Sequence, residues 1–577
     1  MLTIPKQFNE TAERFPNRPA LKFKYHGTYI SVSFSELRKR VENMAKGFLE
    51  LGINPSDRVA ILSENRTEWV RTDLATLTIG AISVPVHTTL SSKIISHVLK
   101  DSGAKAVLVS NQDQFNKLML VINDLPDLES IIYINLDNPE SNNLQKKLIN
   151  LKDVMKLGRD SEKDLPQGPN LDDTASIIYT SGTTAMPKGV MLTHRNFIFN
   201  AEASLAAVSV SEKDSFLSFL PLSHVLERTI GYYAPLVCRG CCIAYAESVK
   251  TLKQNLKEVK PTILVSVPRI FERIYSGIWD KVKTKGGLSY KIFIWAMKQQ
   301  PKTFYFRLAD FLVFKKIRAN LGGNFRFTIS GGATLNPKLA KFFSHISITI
   351  LEGYGLTETS PVVSANRLEN IKFGTVGQVL DGVKIKIAPD KEILVSGPNL
   401  MKGYYKNDGL TKEVIDSEGW FHTGDLGFLT QDGFLIIIGR KKEMISLSNG
   451  KIVWPEQIEL RLNGDSFISQ SFVYGNNRNY VCALVIPDWA AVGRKLFELG
   501  LEGKEPDKLV SNPKLAEIFN KRVEKINSQF AEWEKIRKFT LVIREFSPEK
   551  DEVTPTLKLR RQIIENNYKK ELDKMYL

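Results

Sequence analysis

The stretch of this sequence best suited to chemistry is Tyr179–Gly189, which reads YTSGTTAMPKG. It follows Ala175, Ile177 and Ile178, which favour a buried strand, and Gly182 lets the backbone turn and present N–H groups to an anion. Lys188 adds a positive charge on a flexible side chain. Hydroxyl side chains supply further hydrogen-bonding groups at Thr180, Ser181, Thr183 and Thr184. We interpret this run as a phosphate-binding loop.

The run differs from the phosphate loop of P-loop nucleotide hydrolases. That pattern requires Gly-Lys followed directly by Ser or Thr, whereas the sequence here is Pro187-Lys188-Gly189. A surface turn rich in Ser and Thr is the alternative, since turns commonly have this composition. The run by itself leaves both interpretations open.

The elements around the loop alternate between helix and strand patterns. Residues 34–51 have the spacing of an amphipathic helix, and Thr193 is placed to cap a second helix after the loop. Buried strands are predicted at 58–62, 106–110 and 130–135 before the loop, and at 215–220, 262–266 and 326–330 after it. This alternation predicts an α/β fold with two doubly wound sheets.

Three small residues, Gly331, Gly332 and Ala333, directly follow the last of these predicted strands. Open α/β sheets bind ligands beyond the carboxyl ends of their strands, so these residues are predicted to form a wall for a flat base. A tight turn into a helix that starts near Pro337 is the alternative interpretation.

The C-terminal third has a different pattern. Short strands separated by Gly, Asp and Asn turns predict a small β-barrel or antiparallel layer over 374–438. From about residue 443 onward, strands alternate with long polar helices in what we expect to be a separate α+β unit.

Composition restricts the class of partner. The 577 residues are 43% hydrophobic, enough for large cores, and the net charge of +16 favours anionic partners such as nucleotides or acidic lipids. Nucleic acid is not expected, because no nucleic-acid-binding module is recognised. The four cysteines, at 238, 241, 242 and 482, lack the spacing of a zinc site and are expected to be buried thiols. With neither a secretory signal nor a bilayer span predicted, we expect a cytoplasmic protein.

The segment 290–326 mixes aromatic residues with Lys and Arg, and Asp310 is its only acidic residue. Such a segment can rest on an acidic membrane from the cytoplasmic side. Leu308, Phe311, Leu312 and Lys315 also have the spacing of an ordinary helix that faces the protein core. Both interpretations are carried forward, with the core-facing helix as the default.

Four further motifs accompany the loop in a fixed order: LEGYGLTET at 351–359, GWFHTGDLG at 419–427, GRKKE at 439–443 and TPTLKLRR at 554–561. With the loop, they resemble the adenylate-forming superfamily of acyl-CoA synthetases, luciferases and nonribosomal-peptide adenylation domains. The resemblance covers essentially the whole chain. PLSHVLER at 221–228 and VPRIFER at 267–273 look most like the long-chain fatty acid:CoA ligase branch.

The resemblance implies an enzyme that activates a fatty acid with ATP and Mg²⁺, forming an acyl-AMP and pyrophosphate, and then transfers the acyl group to CoA. An acyl carrier protein as acceptor, or release of the adenylate, is the alternative within the enzyme class. A lipid-binding or scaffold protein on the same fold is the alternative outside it.

The resemblance also implies roles for individual residues. Lys558 would bridge the carboxylate and the α-phosphate of ATP, and His224 would lie near the substrate carboxylate. Glu358, with Thr184, would hold Mg²⁺. A carboxylate that attacks a phosphate needs such cations and donors, because like charges approach each other.

The remaining implied roles concern the nucleotide. Tyr354 would stack on adenine, Asp425 would accept the ribose hydroxyls and Arg440 would lie close to the ribose and phosphate. Gly355 and Thr357 are also implied to contact it. Taken without the resemblance, Tyr354 suits a core position and Asp425 a turn.

The same resemblance divides the chain into a core at 1–439, a hinge at 440–442 centred on Lys442, and a mobile C-terminal domain at 443–577. In the family, the small domain moves between the two chemical steps. Two departures stand out. Ala185 occupies a position where many relatives have glycine, and Arg228 occupies one where some fatty-acid members have a gating tryptophan.

Overall fold

The computed structural model describes residues 1–137, 139, 145–180, 186–498, 500–501, 505–547, 550–554 and 558–577. The predicted site residues Ser181, Gly182, Thr183 and Thr184, together with Ala185, lie outside the described residues.

The first sheet has eight strands and includes the two strands that flank the predicted loop. In spatial order its strands are Gly403–Tyr404, Lys188–Thr193, Thr174–Thr180, Ile82–Val86, Arg58–Leu62, Ala106–Val109, Ser130–Tyr133 and Lys147–Asn150. The last six run parallel, as predicted, while Lys188–Thr193 returns antiparallel to Thr174–Thr180 and to Gly403–Tyr404. The hairpin therefore places the two ends of the loop side by side.

The second sheet has nine strands. In spatial order they are Gln378–Val379, Val362–Ala365, Ile350–Gly355, Phe327–Ser330, Ile263–Ser266, Ser215–Ser218, Cys242–Tyr245, Pro19–Tyr25 and Thr28–Ser33. The strand Pro19–Tyr25 crosses from the N-terminus to pair parallel with Cys242–Tyr245. Two doubly wound sheets are thus present, and the second contains two strands from the first part of the chain.

Helices cover both sheets. The α-helices of this part are Ile4–Arg14, Phe34–Glu50, Thr67–Thr78, Ser92–Ser102, Gln112–Met119, Leu151–Arg159, His194–Ala207, Leu252–Val259, Pro268–Lys285, Gly287–Met297, Phe304–Ala309, Lys315–Ala319, Pro337–His345 and Asp408–Val414. Two segments, Glu227–Cys238 and Asp310–Phe314, are π-helical. The predicted cap is present: Thr193 Oγ1 accepts from the Asn196 N–H at 3.1 Å, and Asn196 Oδ1 accepts from the Thr193 N–H at 2.8 Å.

The layer expected over 374–438 is a four-stranded antiparallel sheet, the second of the two forms left open by the sequence. Its strands, in order, are Lys384–Ile387, Glu392–Ser396, Phe421–Leu429 and Leu435–Arg440. The last strand leads directly into the short 3-10 helix Lys441–Glu443, at the start of the C-terminal part.

The C-terminal part is α+β, as predicted, with hydrophobic cores of its own. A three-stranded sheet, Ile468–Tyr474, Val481–Pro487 and Ile536–Leu541, follows the two-stranded ribbon Ile445–Ser446 and Ile452–Val453. Its helices are Pro455–Leu462, Trp489–Glu498, Pro506–Val510, Pro513–Asn527, Arg561–Asn567 and Lys569–Lys574.

The default interpretation of segment 290–326, a helix whose stripe of Leu308, Phe311, Leu312 and Lys315 faces the core, was wrong. Leu308, Phe311 and Leu312 are exposed, whereas Phe306 and Phe314 pack against His345. The π-helical turn Asp310–Phe314 lies inside this helical stretch and breaks the 3.6-residue spacing on which the prediction depended. Among the described residues, we find no helix with the length and apolar character needed to cross a membrane.

Candidate active site

A cleft of about 1970 Å³ lies between the N-terminal and C-terminal parts and is lined by both. Every predicted site residue that the structure describes contributes to its walls: Thr180, Lys188, His224, Gly331, Gly332, Ala333, Tyr354, Gly355, Thr357, Glu358, Asp425, Arg440 and Lys558. Residues that are up to 378 positions apart in the sequence therefore share one space. Their chemical roles remain predictions.

The two described ends of the predicted phosphate loop face this cleft. Thr180 ends one strand and Lys188 begins the next, and the two are paired across the hairpin. The Lys188 ammonium lies 5.0 Å from the centre of the Tyr404 ring, a cation–π distance. The Tyr404 hydroxyl in turn donates to Glu358 Oε1 at 3.0 Å. Tyr404 thus connects the predicted phosphate-binding lysine with the predicted metal ligand.

Tyr354, Asp425 and Arg440 form a second group in the cleft. The Tyr354 hydroxyl donates to Asp425 Oδ2 at 2.8 Å, and Arg440 Nε lies 3.0 Å from Asp425 Oδ1. Asp425 and Arg440 are direct partners on neighbouring strands, which fixes their relative position. A carboxylate has about four acceptor sites, so Asp425 retains capacity for a ligand hydroxyl beside these two bonds.

Two glycines in the walls are required by the backbone. Gly332 has φ of +81°, a conformation that other residues adopt only with strain. At Gly355, a Cβ atom would lie 1.7 Å from the Pro361 carbonyl oxygen. The cleft therefore depends on Gly332 for the turn after the strand Phe327–Ser330. It depends on Gly355 for the close approach of the backbone to Pro361.

His224 is held as a neutral imidazole. Its Nδ1 accepts from the Leu226 N–H at 3.3 Å, so a neutral ring carries its proton on Nε2. Burial, together with His87 and Lys558 nearby, lowers the pKa of His224 to about 3. At neutral pH the ring can therefore donate one hydrogen bond from Nε2 without carrying a charge.

Lys558 reaches the cleft from the C-terminal part. Its backbone N–H donates to Thr554 Oγ1 at 3.1 Å and its carbonyl accepts from the Thr554 N–H at 2.8 Å, so its backbone is held against Thr554. Burial lowers the pKa of the Lys558 ammonium, with a further contribution from the like charge of Arg440. Asp425, Glu456 and Glu443 oppose this shift. Lys558 therefore lies close enough to interact with Asp425 and Arg440, two of the residues predicted to bind the nucleotide.

One wall of the cleft is apolar. Leu226, two residues after His224, is followed at intervals of four residues by Ile230 and Ala234 in the π-helix Glu227–Cys238. Four further apolar residues also line the cleft: Leu205, Val208, Val210 and Phe216. An apolar chain whose carboxylate lay at His224 could contact these apolar side chains.

Sequence reasoning missed three polar residues in the cleft. Glu352 is buried, and burial raises the pKa of its carboxyl to about 8. It is paired across the sheet with Ser330, next to the Gly331–Ala333 wall. His87 accepts or donates a 2.7 Å hydrogen bond with Ser223, beside His224, and Tyr404 is described above. Glu352 lies within the motif at 351–359, and His87 follows the carboxyl end of the buried strand Ile82–Val86, so these two positions carried a sequence signal.

Arg228 does not line the cleft. It is fully buried and forms an ion pair with Asp73, while its guanidinium also donates to Ser176 Oγ at 2.7 Å and to the Tyr233 hydroxyl at 3.0 Å. The residue anchors the π-helix to the neighbouring elements. Because Arg228 lies outside the lining of the cleft, we do not assign to it the gating role of the tryptophan that some fatty-acid members have at this position.

Within the described ranges, no group of three or more His, Cys, Asp or Glu side chains is arranged to hold a metal ion. Glu358 nevertheless has the chemistry of a magnesium ligand. Mg²⁺ usually takes one or two carboxylates together with substrate phosphates and water. Glu358 shares the cleft with Thr180 and Lys188, the described ends of the predicted phosphate loop, and a single carboxylate there fits that requirement.

Comparison with known proteins gives three results. The sequence matches the AMP-binding enzyme family over residues 8–405 and the AMP-binding enzyme C-terminal domain over residues 442–577. It is 32% identical to a Mycobacterium bovis protein named long-chain-fatty-acid–CoA ligase FadD15, over 95% of this chain and 93% of that protein. It is 28% identical to the chloroplastic Arabidopsis thaliana long-chain-fatty-acid–(acyl-carrier-protein) ligase AEE15, over 99% of this chain and 86% of that protein.

Among solved structures, the adenylation domain of a carboxylate reductase from Mycobacterium chelonae superimposes with a TM-score of 0.82. The alignment covers 100% of this chain and 91% of that one at 22% sequence identity. At this level of identity the likeness concerns the fold.

Proposed function

The chain belongs to the AMP-binding enzyme family, and we propose that it is a long-chain fatty acid:CoA ligase that works through an acyl-AMP intermediate. One observation carries the proposal. A lysine of the C-terminal part, Lys558, lies in the same cleft as His224, Asp425 and Arg440 of the N-terminal part, next to an apolar wall. This arrangement would bring a bound nucleotide and the carboxylate of a bound fatty acid together in one site.

In the first step, a carboxylate oxygen of the fatty acid attacks the α-phosphorus of ATP, and the bond to the bridging oxygen of pyrophosphate breaks. Both reactants are anionic, so catalysis requires charge neutralisation and positioning. Lys558 neutralises the carboxylate and the α-phosphate, and His224 Nε2–H donates to the carboxylate. Lys188 holds the phosphates that leave as pyrophosphate, together with the loop residues Thr180, Ser181, Gly182, Thr183 and Thr184.

The nucleoside is held at the other end of the cleft. Tyr354 stacks on the adenine, which lies against Gly331, Gly332 and Ala333, and Asp425 accepts the ribose hydroxyls beside Arg440. Gly355 and Thr357 complete this wall. Glu352, next to the base wall, provides a carboxyl group for the exocyclic amine of adenine.

Glu358 would hold Mg²⁺, with Thr184 as a second ligand from the loop. The ion would supply additional neutralisation of the phosphate charge. The Tyr404 hydroxyl that donates to Glu358 orients the carboxylate toward the cleft.

In the second step the thiolate of CoA attacks the acyl carbonyl carbon, and AMP leaves. We propose that the domain at 443–577 turns on the hinge 440–442, at Lys442, relative to the core at 1–439. Hinges are a few residues that absorb a large backbone change. Lys558 would then serve the first step only.

A second candidate function differs from the first only in the thiol that accepts the acyl group. A relative that is 28% identical over 99% of this chain is named a ligase of an acyl carrier protein, so the thiol of that protein is the alternative to CoA. We propose to measure AMP release with fatty acids of graded length, offering CoA, acyl carrier protein or both. Preference for CoA supports the main proposal, preference for the carrier protein supports the alternative, and absence of fatty-acid-dependent pyrophosphate release would indicate a non-catalytic lipid-binding protein.

We further propose that the protein works in the cytoplasm at the inner face of an anionic membrane, which segment 290–326 contacts. Long-chain fatty acids partition into bilayers, so a surface location would bring the enzyme to its substrate. The exposed basic and aromatic side chains of the segment support this placement.

A further inference from the structure

The helix Ser92–Ser102 contacts both described ends of the predicted phosphate loop. At one end, the His97 Nε2–H donates to the Pro187 carbonyl oxygen at 2.9 Å. At the other end, the Tyr179 hydroxyl donates to Asp101 Oδ2 at 2.5 Å. His97 and Asp101 are four residues apart, so both lie on one face of the helix. A single helix face therefore holds the chain on both sides of the loop.

Each contact lies one residue away from a predicted phosphate-binding residue. Tyr179 precedes Thr180, and Pro187 precedes Lys188. The Pro187 carbonyl and the Lys188 N–H belong to the same planar peptide unit, so the bond from His97 fixes the direction in which the chain enters Lys188. Thr180 and Lys188 are themselves paired across the hairpin. The two contacts therefore act on both members of this pair.

The donor and the acceptor are defined in both hydrogen bonds. A backbone carbonyl only accepts, so Nε2 of His97 carries a proton. Burial, followed by the hydrogen bond to Asp101, raises the pKa of Tyr179, so its hydroxyl stays protonated and donates. The rings of His97 and Tyr179 also pack edge to face, with 6.1 Å between their centres. The two contacts are therefore adjacent and support each other.

The helix and the second strand of the hairpin are also joined through a common segment. Lys406 Nζ donates to the Asp101 carbonyl oxygen at 2.7 Å, and the Tyr405 N–H donates to the Gly189 carbonyl oxygen at 2.7 Å. Both donors directly follow the strand Gly403–Tyr404, which pairs with the hairpin. This shared attachment restrains the helix against the hairpin.

We propose that His97 and Asp101 are positioning residues for the β- and γ-phosphates of ATP. Neither residue lines the cleft, whereas Pro187 and Tyr179 do, so the two residues act through them. Loss of either contact would let Lys188 or Thr180 shift, and small misplacements in a binding site are costly. The inference rests on the proposed function, because that function requires ATP in this cleft.

A purely structural role for the two contacts makes a different prediction. If they only held the helix against the sheet, their loss would disturb the whole cleft and weaken the binding of any adenine nucleotide. If they position the loop ends, their loss affects only a nucleotide that has β- and γ-phosphates. AMP lacks both phosphates, so a comparison of ATP with AMP separates the two roles.

The dissociation constants of ATP and AMP are measured by calorimetry on the purified full chain with Mg²⁺, without fatty acid or CoA. His97→Ala and Tyr179→Phe should each weaken ATP binding about three- to tenfold, the effect of losing one hydrogen bond. AMP binding should stay at the value of the parent. Asp101→Ala should weaken ATP binding at least as much as Tyr179→Phe, because it leaves a buried hydroxyl without an acceptor.

Conservative variants test whether the hydrogen bonds themselves are responsible. His97→Gln should recover part of the ATP binding that His97→Ala loses, since its amide can donate to the Pro187 carbonyl. Asp101→Asn keeps an oxygen acceptor and should bind ATP more tightly than Asp101→Ala. The controls are His345→Ala and Tyr29→Phe, which remove hydrogen bonds to backbone carbonyl oxygens outside the cleft and should bind both nucleotides like the parent.

The inference is overturned if His97→Ala and Tyr179→Phe weaken ATP and AMP binding alike, or if they leave ATP binding unchanged. AMP release in the presence of fatty acid and CoA is measured separately. A parent protein that binds ATP but releases no AMP would contradict the proposed ligase function and leave the roles of His97 and Asp101 intact. A parent that binds no ATP would overturn both.

Discussion

Arg269 and Glu545 form an ion pair that joins the two parts of the chain at the cleft, with 2.8 Å between Nη2 and Oε1. Arg269 also donates to the Ser469 carbonyl and to Ser469 Oγ, at 2.5 and 2.9 Å, and Arg273 lies 3.3 Å from the same glutamate. These contacts tie the helix Pro268–Lys285 to the part that carries Lys558. They hold the arrangement in which Lys558 lies in the cleft.

We predict that Glu545→Gln slows acyl-AMP formation two- to fivefold while sparing thioester formation from supplied acyl-AMP. The pair is partly exposed, so its contribution is about 0.5–1 kcal/mol, and 1.4 kcal/mol corresponds to tenfold. ATP/pyrophosphate exchange and CoA acylation are measured separately. Glu532→Gln is the control, because Glu532 pairs with Lys535 and Arg537 within the C-terminal part. Equal losses in both half-reactions would contradict the assignment.

We predict that His224 acts as a neutral hydrogen-bond donor. Loss of one such donor in His224→Ala should cost about 100- to 1000-fold in acyl-AMP formation, and His224→Gln should recover part of it through its amide N–H. Since the pKa of His224 is lowered to about 3, the ring gains a proton only far below neutral pH. Around the ordinary histidine pKa, the pH profile of kcat/KM for fatty acid should therefore have the same shape in the parent and in His224→Gln. The parent should show no inflection that the variant lacks. Such an inflection would rule out the neutral donor.

We predict that Glu352 binds ATP through a protonated carboxyl. Because its folded pKa is raised to about 8, the folded state holds a proton that the unfolded state releases above its ordinary value of 4.5. Its burial therefore lowers the free energy of unfolding as pH rises from 4.5 toward 8. Glu352→Gln should flatten the fall of Tm over that window and leave the KM for ATP near that of the parent, whereas Glu352→Ala should raise that KM.

Glu227 provides the matched control for this prediction. It is also buried with a pKa raised to about 8, but it does not line the cleft. Glu227→Gln should change the pH dependence of Tm in the same direction and leave the KM for ATP unaffected. A KM effect of equal size for Glu227→Ala and Glu352→Ala would remove the case for nucleotide contact.

The extent to which the sequence predicted this structure differs between elements. The capped helix after Thr193, the parallel strands and the α+β C-terminal part followed from periodicity and turn chemistry, which are local. The pairing of strand Pro19–Tyr25 with strand Cys242–Tyr245 could not be predicted in this way, because no local pattern specifies a partner more than 200 residues away. The stripe at 308–312 was assigned to the wrong face because the segment is apolar on both sides and contains a π-turn.

The residues of the candidate site likewise divide into those that the sequence predicted and those that it did not. Lys558, Asp425 and Tyr354 were found through motifs, and the structure brings them into one cleft. Glu352 lies inside one of those motifs, yet nothing in its residue type distinguishes a solvated glutamate from a buried one. Tyr404 and Arg269 act through contacts with Glu358 and Glu545, which only folding brings together.

We predict that Lys558→Ala lowers ATP/pyrophosphate exchange by about 100- to 1000-fold, since it removes the cation shared by carboxylate and α-phosphate. Formation of acyl-CoA from supplied acyl-AMP should stay within a few fold of the parent. Lys569→Ala, which alters an exposed lysine outside the cleft, controls for the loss of a C-terminal charge. If Lys558→Ala reduced both half-reactions alike, the lysine would not be specific to the first step.

The central claim is that the fatty acid is activated as an adenylate before any thiol takes part. It is tested most directly by exchange of labelled pyrophosphate into ATP by the parent protein without CoA. We expect exchange that requires a long-chain fatty acid and proceeds with no thiol present. Acyl-CoA formation from ATP, fatty acid and CoA without any such exchange, or with release of ADP in place of AMP, would contradict the account.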